Sequence, residues 1–152
     1  MALHKNAASF GRAISSWGHT KTREAETVRL EAAKFLAVEV VQGGIYSPGT
    51  PVDTGRARDS WTAFGPSGGP RPFNPDAAPR SKDGSAAVAT MHRVIAQLRG
   101  RTIRFGSNAP YMRRLDEGSS AQAPTGFFRQ ALASWPACVQ QAAAALGWGR
   151  RR

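Results

Sequence analysis

Three stretches of this chain repeat their apolar residues at helical spacing, and each predicts an α-helix. From about Lys21 to Gln42, Ala25, Val28, Ala32, Leu36 and Val40 recur with Phe35 beside them, while Glu24, Glu31 and Lys34 fall elsewhere on the wheel. Gly43 and Gly44 follow and are expected to stop the helix. A second helix fits Ser85 to Arg99, with Val88, Met91, Ile95 and Leu98 as its stripe, Asp83 or Ser85 as its cap and Gly100 as its end. The third runs from about Gly126 to Leu146, where Phe128, Leu132, Trp135, Val139, Ala142 and Leu146 alternate steps of four and three. Ala131, Cys138 and Ala145 widen that face. Pro136 lacks an N–H and crowds the carbonyl of Leu132, yet the apolar phase continues beyond it, so the expectation is a kink and not a break.

The segments between the helices alternate on a shorter period. Ser60 to Phe64 and Arg101 to Phe105 read as short strands, with a third piece near Tyr111 to Leu115, giving a small, mostly antiparallel sheet. The fold expected is therefore α+β: this sheet packed with a long N-terminal helix, a central helix and a C-terminal helix. Residues 65–83 hold five Pro and three Gly and read as a long loop of the kind that often reaches a neighbouring subunit. Residues 1–20 mix Gly11, Gly18, Ser and Asn with isolated Phe10, Ile14 and Trp17, and read as an arm ordered only against a partner. Residues 21–147 form the single domain, and 148–152 a basic tail.

Charge changes the picture of the partners. The 152 residues carry a formal net charge of +11, and 17 of the 21 basic residues are Arg. Residues 1–83 hold 11 basic and 8 acidic side chains, whereas residues 84–152 hold 10 basic and only 2 acidic. A polyanion or an acidic protein surface is a fitting neighbour for such a field. Arg93, Arg99, Arg101, Arg104, Arg113, Arg114, Arg150, Arg151 and Arg152 are the candidates to face it. No helix-turn-helix, zinc-finger or RNA-binding signature accompanies the charge, so base reading has no support. No run of about 18 apolar residues is present for a membrane span, and no N-terminal stretch has the form of a signal peptide. Cys138 is the only cysteine, which excludes an intrachain disulfide and suits a reducing cytoplasm.

Candidate chemistry is thin. Asp53-Thr54-Gly55 matches the triplet of aspartic proteases, but Pro51 and Val52 precede it and Arg56 and Arg58 follow, in place of the apolar strands that should flank it. The expectation is that Asp53 or Thr54 caps a short helical turn and Gly55 allows the bend. His4, His19 and His92 are far apart, with no partner at metal-ligand spacing. Asp116 and Glu117 are adjacent and would not face each other across a substrate; Arg113 and Arg114 are their natural partners. The glycine-rich stretch lacks the ending of a phosphate cradle. No enzyme activity, cofactor or metal is expected.

Two loop-rich blocks are more specific. The first is Thr50-Pro51-Val52-Asp53-Thr54-Gly55-Arg56-Ala57-Arg58-Asp59-Ser60-Trp61. The second runs from Ile103 through Asn108, Pro110, Tyr111, Asp116, Glu117 and Gly118 to Gln122-Ala123-Pro124-Thr125-Gly126-Phe127-Phe128. In order and separation these blocks resemble the neck or tail-completion family of long-tailed double-stranded DNA bacteriophages, also described as tail-component proteins. With the helices included, the resemblance covers roughly residues 21 to 146. Ala57 stands where such proteins commonly have a larger aliphatic residue, and Arg80 to Gly84 belongs to a variable region. The resemblance implies a virion structural protein with no catalytic residue, made in the host cytoplasm and built into the neck or tail.

What it implies for the residues is geometry and contact. Pro51, Gly55, Pro110, Gly118, Pro124 and Gly126 would set chain paths around the sheet, Tyr111 would bury its ring with its hydroxyl near the rim, and Asp116 or Glu117 would meet an arginine of the same or the next subunit. Asp53, Thr54, Arg58, Asn108 and Gln122 complete the interface motif. Identical subunits would close into a ring, sixfold as the tails of such phages are, and help join head to tail. Head-tail connector, tail-terminator or tail-tube proteins would be the neighbours, and passing DNA would be touched without sequence reading. The alternatives are a stand-alone basic DNA-binding protein, or a tail-terminator or head-side connector.

Overall fold

The computed structural model describes residues 7–148; Arg150, Arg151, Arg152 and His4 lie outside them. The first element, α1 (Ala7–Val41), is a single helix of 35 residues. It begins fourteen residues earlier than the apolar pattern predicts, so residues 7–20 of the expected arm are helical. The reason is local. Nothing in that stretch breaks a helix outright, Phe10, Ile14 and Trp17 share one face at i, i+4 and i+7, and the hydroxyls of Thr20 and Thr22 donate back to the carbonyls of Ser16 and Gly18. Between Ser9 and Thr27 no residue is buried; Val28 is the first that is. The helix ends where the N–H groups of Gln42 and Gly43 both donate to the carbonyl of Val38.

Beyond it follow α2 (Arg56–Asp59), β1 (Thr62–Phe64), α3 (Ser85–Gln97), β2 (Arg104–Gly106), α4 (Met112–Asp116), α5 (Phe128–Ala133) and α6 (Trp135–Ala145). Strands β1 and β2 pair antiparallel, Thr62 opposite Gly106 and Phe64 opposite Arg104, and make the whole sheet among the described residues. The fold is α+β, as the pattern predicts, with a smaller sheet than expected. The third expected strand, Tyr111 to Leu115, is helical. After Pro110 the Met112 N–H closes a turn onto the Ala109 carbonyl, and Met112 and Leu115, three apart, both pack against the core. Helix α3 starts at Ser85 as its sequence suggests, but its cap is Gly84 at φ +84°, with neither Asp83 nor Ser85 in that place; Asp83 accepts the Ser85 N–H at 3.0 Å from one residue further out, and Ser81 accepts the Ala86 N–H at 2.9 Å.

The last helix departs most from expectation. It breaks at Ser134 into α5 and α6, where an N–H shared between the carbonyls of Gln130 and Ala131 tightens the turn and the Ser134 hydroxyl donates to Ala131 O at 2.6 Å. Pro136 sits in the first turn of α6, where a missing N–H costs nothing, so the kink expected there is instead a break two residues earlier. The buried face is Phe127, Ala131, Ser134, Cys138 and Ala142, one residue round from the bulkier stripe; Leu132 and Leu146 are exposed. Small side chains on α5 and α6 join Ala32, Ala33 and Ala37 of α1 in one core cluster, which lets the helices approach closely. Val88, Met91 and Ile95 of α3 and Trp61 beside β1 fill the rest.

Candidate functional site

The two motif blocks, about fifty residues apart in sequence, meet on one side of the core. Thr50 is their anchor. It is fully buried, its N–H and hydroxyl both donate to the Val40 carbonyl at the end of α1, and its hydroxyl accepts the Trp61 indole N–H at 2.8 Å. The Thr50 carbonyl accepts Arg58 Nε at 2.7 Å, and Arg58 also donates to the Asp83 carbonyl. Burial lowers the Arg58 pKa, countered by the nearby Asp83 carboxylate. Trp61 in turn stacks on Phe128 at 5.4 Å and meets Phe127 edge-on. Ser47 closes the circuit by donating to the Phe127 carbonyl, and its own N–H is accepted by Glu39. Thr50, Ser47 and Glu39 are buried and paired, the condition for keeping them out of water, while Arg58 is half-buried and paired.

The second block is held by an acid. Asp116 accepts the N–H groups of both Phe127 and Phe128, at 3.1 and 2.8 Å, so it caps the entry to α5 and meets no arginine. Gly126 makes that possible: it has φ +80°, and a Cβ there would run into the Asp116 carbonyl. The expected pairing falls instead to Glu117, which binds Arg113 of the same chain at 2.7 Å in an exposed i, i+4 bridge. Gln122 clamps the first block from outside, its amide donating to the Val52 carbonyl and accepting the Val52 N–H at 2.6 and 2.9 Å. The Ser60 and Ser107 hydroxyls join the blocks again at 2.6 Å. Between them lies a cleft of about 440 Å³ lined by Pro51, Asp53, Gly55, Phe73, Tyr111 and Leu115. Tyr111 stands edge-on to Phe73 at 5.6 Å, and partial burial raises its pKa.

The long loop is tied to the body of its own chain. Asp59, buried at the end of α2, takes Arg80 Nε at 2.9 Å and Arg71 at 3.5 Å. The Pro70 and Pro66 carbonyls accept from Asn108 and Arg104. Gly55, at φ +90°, caps α2 with its backbone pressed on Lys82; Asp53 does not cap it, and Thr54 only approaches the Arg56 N–H at 3.4 Å. Arg56 Nε is the one buried side-chain polar atom with no hydrogen-bond partner among the described residues. Arg56 lines both this cleft and a second one of about 280 Å³ whose walls include Arg71, Phe73 and Arg80.

Asp53 is exposed with no second carboxylate across from it, and no group of three His, Cys, Asp or Glu could hold a metal among the described residues. His92 ties α3 to the Lys34 carbonyl of α1 at 3.1 Å, and His19 is exposed on α1. Cys138 is buried, its thiol pKa raised by that burial against the opposing contact from Ser134. Of the arginines singled out for charge, Arg93, Arg99, Arg101, Arg104, Arg113 and Arg114 are all exposed. No helix among the described residues is long and apolar enough to cross a membrane.

An apolar groove opens on the opposite edge of α5. Its volume is about 430 Å³, and its walls are Ala33 and Leu36 of α1, Ile103 and Phe105 at β2, and Phe128, Leu132 and Trp135. Its one charged wall, Arg29, is already engaged. Arg29 binds Glu26 through two 2.8 Å bonds and donates to the carbonyls of Leu98 and Arg101. The Arg29 hydrogen bonds, aided by the Gly100 N–H, bring the Glu26 pKa down from 4.5 to about 2 although burial opposes them. The sequence puts Phe128, Leu132 and Trp135 on one nearly uncharged helix face, to be buried in its own fold or pressed against another chain; Phe128 and Trp135 pack partly on the core, and that the three line a groove is not visible from spacing. Asp59 and Thr50 were missed because their partners are set by tertiary contact. The described residues form an α+β fold with clefts beside the two motif blocks and an apolar groove along α5. Comparison with protein-family models, with curated proteins and with solved structures returns no match.

Proposed function

We propose that this chain is a structural subunit of the neck or tail of a long-tailed bacteriophage, a tail-completion protein whose identical copies form a ring at the head-tail junction and assist head-tail joining. The observation that carries the reading is where the two motif blocks place their polar groups. Thr50, Arg58, Asp116 and Gln122 are engaged in backbone hydrogen bonds around the bends at Gly55 and Gly126, two of the residues to which the resemblance gives the setting of chain paths. The chain also leaves the large apolar side chains Ile14, Trp17, Ile45 and Leu132 exposed, which a neighbouring subunit could cover. Purified particles test the proposal. A cryo-EM map of the neck is expected to show a closed ring of this chain; its absence from mature particles would remove the reading.

A second reading, a stand-alone DNA-binding protein, is favoured by the sequence pI of about 11.4 and the six exposed arginines between Arg93 and Arg114. It requires duplex binding that persists at physiological salt. As a ring subunit the chain makes only phosphate contacts that fade steeply as salt rises. A salt titration of duplex binding by the purified protein separates the two.

A further inference from the structure

We infer that the exposed N-terminal part of α1 docks into the groove between α1, β2 and α5 of a second copy of this chain, head to tail. The inference rests on the proposed reading of the chain as a ring-forming subunit and names the contact that closes the ring.

Two apolar surfaces of the same molecule stay exposed among the described residues. On α1, Ile14 and Trp17 lie on one face with Phe10 a turn before them, and Ile14 and Trp17 are 54% and 63% exposed. The groove offers Leu36, Ile103, Phe105, Phe128 and Trp135 as walls, with Leu132 on its rim, 46% exposed. Apolar anchors at i and i+3 or i+4 entering a hydrophobic groove are a recurring way for a helix to be recognised, and Trp is the residue that most often dominates such a contact.

The helix cannot serve its own groove. Ala33 and Leu36, two of the walls, are on the same unbroken helix, so Trp17 is held roughly 24 Å along the axis from Ala33 by the 1.5 Å rise per residue. Only another molecule can bring the two together. Electrostatics allow it: residues 13–20 contain no Asp, Glu, Lys or Arg, and the one charged residue in the groove wall, Arg29, is already paired with Glu26. A small ligand is a poorer occupant, because the groove wall is apolar apart from Arg29, Thr102 and the Trp135 indole N–H and offers few polar groups to orient it. The flank of the helix fits a close approach as well. Gly11 and Gly18, seven apart beside Ile14, would each have open space around a Cβ. Because the donor surface and the acceptor surface differ, the contact is heterologous, and repetition of it generates a closed ring or an open filament.

Sedimentation velocity on the full chain tests this, with Trp17→Asp on the helix and Leu132→Asp on the groove rim, and Leu132→Gln as the milder variant should the charge disturb folding. The wild-type chain is expected to form oligomers larger than a dimer, and each single substitution to weaken association at least tenfold with an unchanged circular dichroism spectrum. Mixing Trp17→Asp, whose groove is intact, with Leu132→Asp, whose helix is intact, is expected to give a one-to-one pair that cannot grow. A wild-type chain that stays monomeric up to its solubility limit overturns the inference. So does association indifferent to Leu132, since Trp17 then packs elsewhere, for instance on a second helix; in that case the ring proposal survives with a different contact. Absence of the chain from purified particles removes the proposed function and leaves the self-docking result intact.

Discussion

The two halves of α1 share one unbroken backbone and almost nothing else. From Val28 to Val41 the helix buries Val28, Leu30, Ala32, Ala33, Leu36, Ala37, Val40 and Val41, and α3, α5 and α6 pack around it. From Ser9 to Thr27 it buries nothing, carries two glycines, and extends for roughly 30 Å at 1.5 Å per residue. The boundary is drawn by Glu26 and Arg29, whose bonds to Gly100, Leu98 and Arg101 are the first to reach the rest of the fold. Helical hydrogen bonds alone are marginal in water, so the inner half is held by packing and the outer half mainly by its continuity with it. The same secondary structure therefore serves as core on one side of Glu26 and as an available surface on the other.

Four substitutions or conditions would break or sharpen that contrast. The largest effect belongs to the packed side: Phe127→Ala removes a fully buried ring facing Trp61 and should cost about 3–5 kcal/mol in urea unfolding, whereas Ser15→Ala on the outer half should stay within about 0.5 kcal/mol. Equal costs would mean the outer half is not independent of the core. Next comes Thr50→Val, which keeps the shape but strands the Trp61 indole N–H. A loss of about 1–3 kcal/mol is expected, read as a lower urea midpoint at unchanged slope.

The boundary itself should titrate. Because the Glu26 pKa falls from 4.5 to about 2 on folding, the ionised form is favoured by the native state. Its contribution is complete above the unfolded value and disappears as pH drops from about 4.5 through about 2. Partial solvent exposure screens the pair, so on the order of 1 kcal/mol is expected, and Glu26→Gln should flatten the acid limb of a stability-pH curve by that amount. The smallest effect has the opposite sign. Gly18→Ala, with open space around the new Cβ, should raise local helix stability by about 0.5–1 kcal/mol, seen as slower amide exchange around residues 14–22 and little change in the global midpoint.

Much of this was legible along the chain. The apolar rows of α1 and α3, the start of α3 at Ser85, the two short strands and the bend at Gly55 all follow from local preferences, which need no knowledge of what packs where. The misreadings have one cause. On a helix, adjacent residues lie about 100° apart, so the stripe of Phe128, Leu132 and Trp135 and the stripe of Ala131, Ser134, Cys138 and Ala142 are equally periodic. The tight approach of an alanine-rich α1 selected the small one. The third strand failed for a related reason: five residues hold too few alternations to outweigh a proline turn and the pull of Met112 and Leu115 toward one face. Asp116 was read as an arginine partner because its charge is visible in sequence, while the two N–H groups it caps become neighbours only after the chain turns back at Gly126.

By itself, then, the order of residues determined the α+β class, the number of long helices and the places where the chain must bend, since those depend on spacing and on the conformational freedom of single residues. Tertiary structure alone decided which helix face is buried, that Thr50 joins the two blocks through Val40, Arg58 and Trp61, and that α1 leaves the core at Glu26. Those outcomes depend on surfaces brought together across tens of residues, where a side chain's partner is set by what the rest of the fold places within hydrogen-bonding or van der Waals reach.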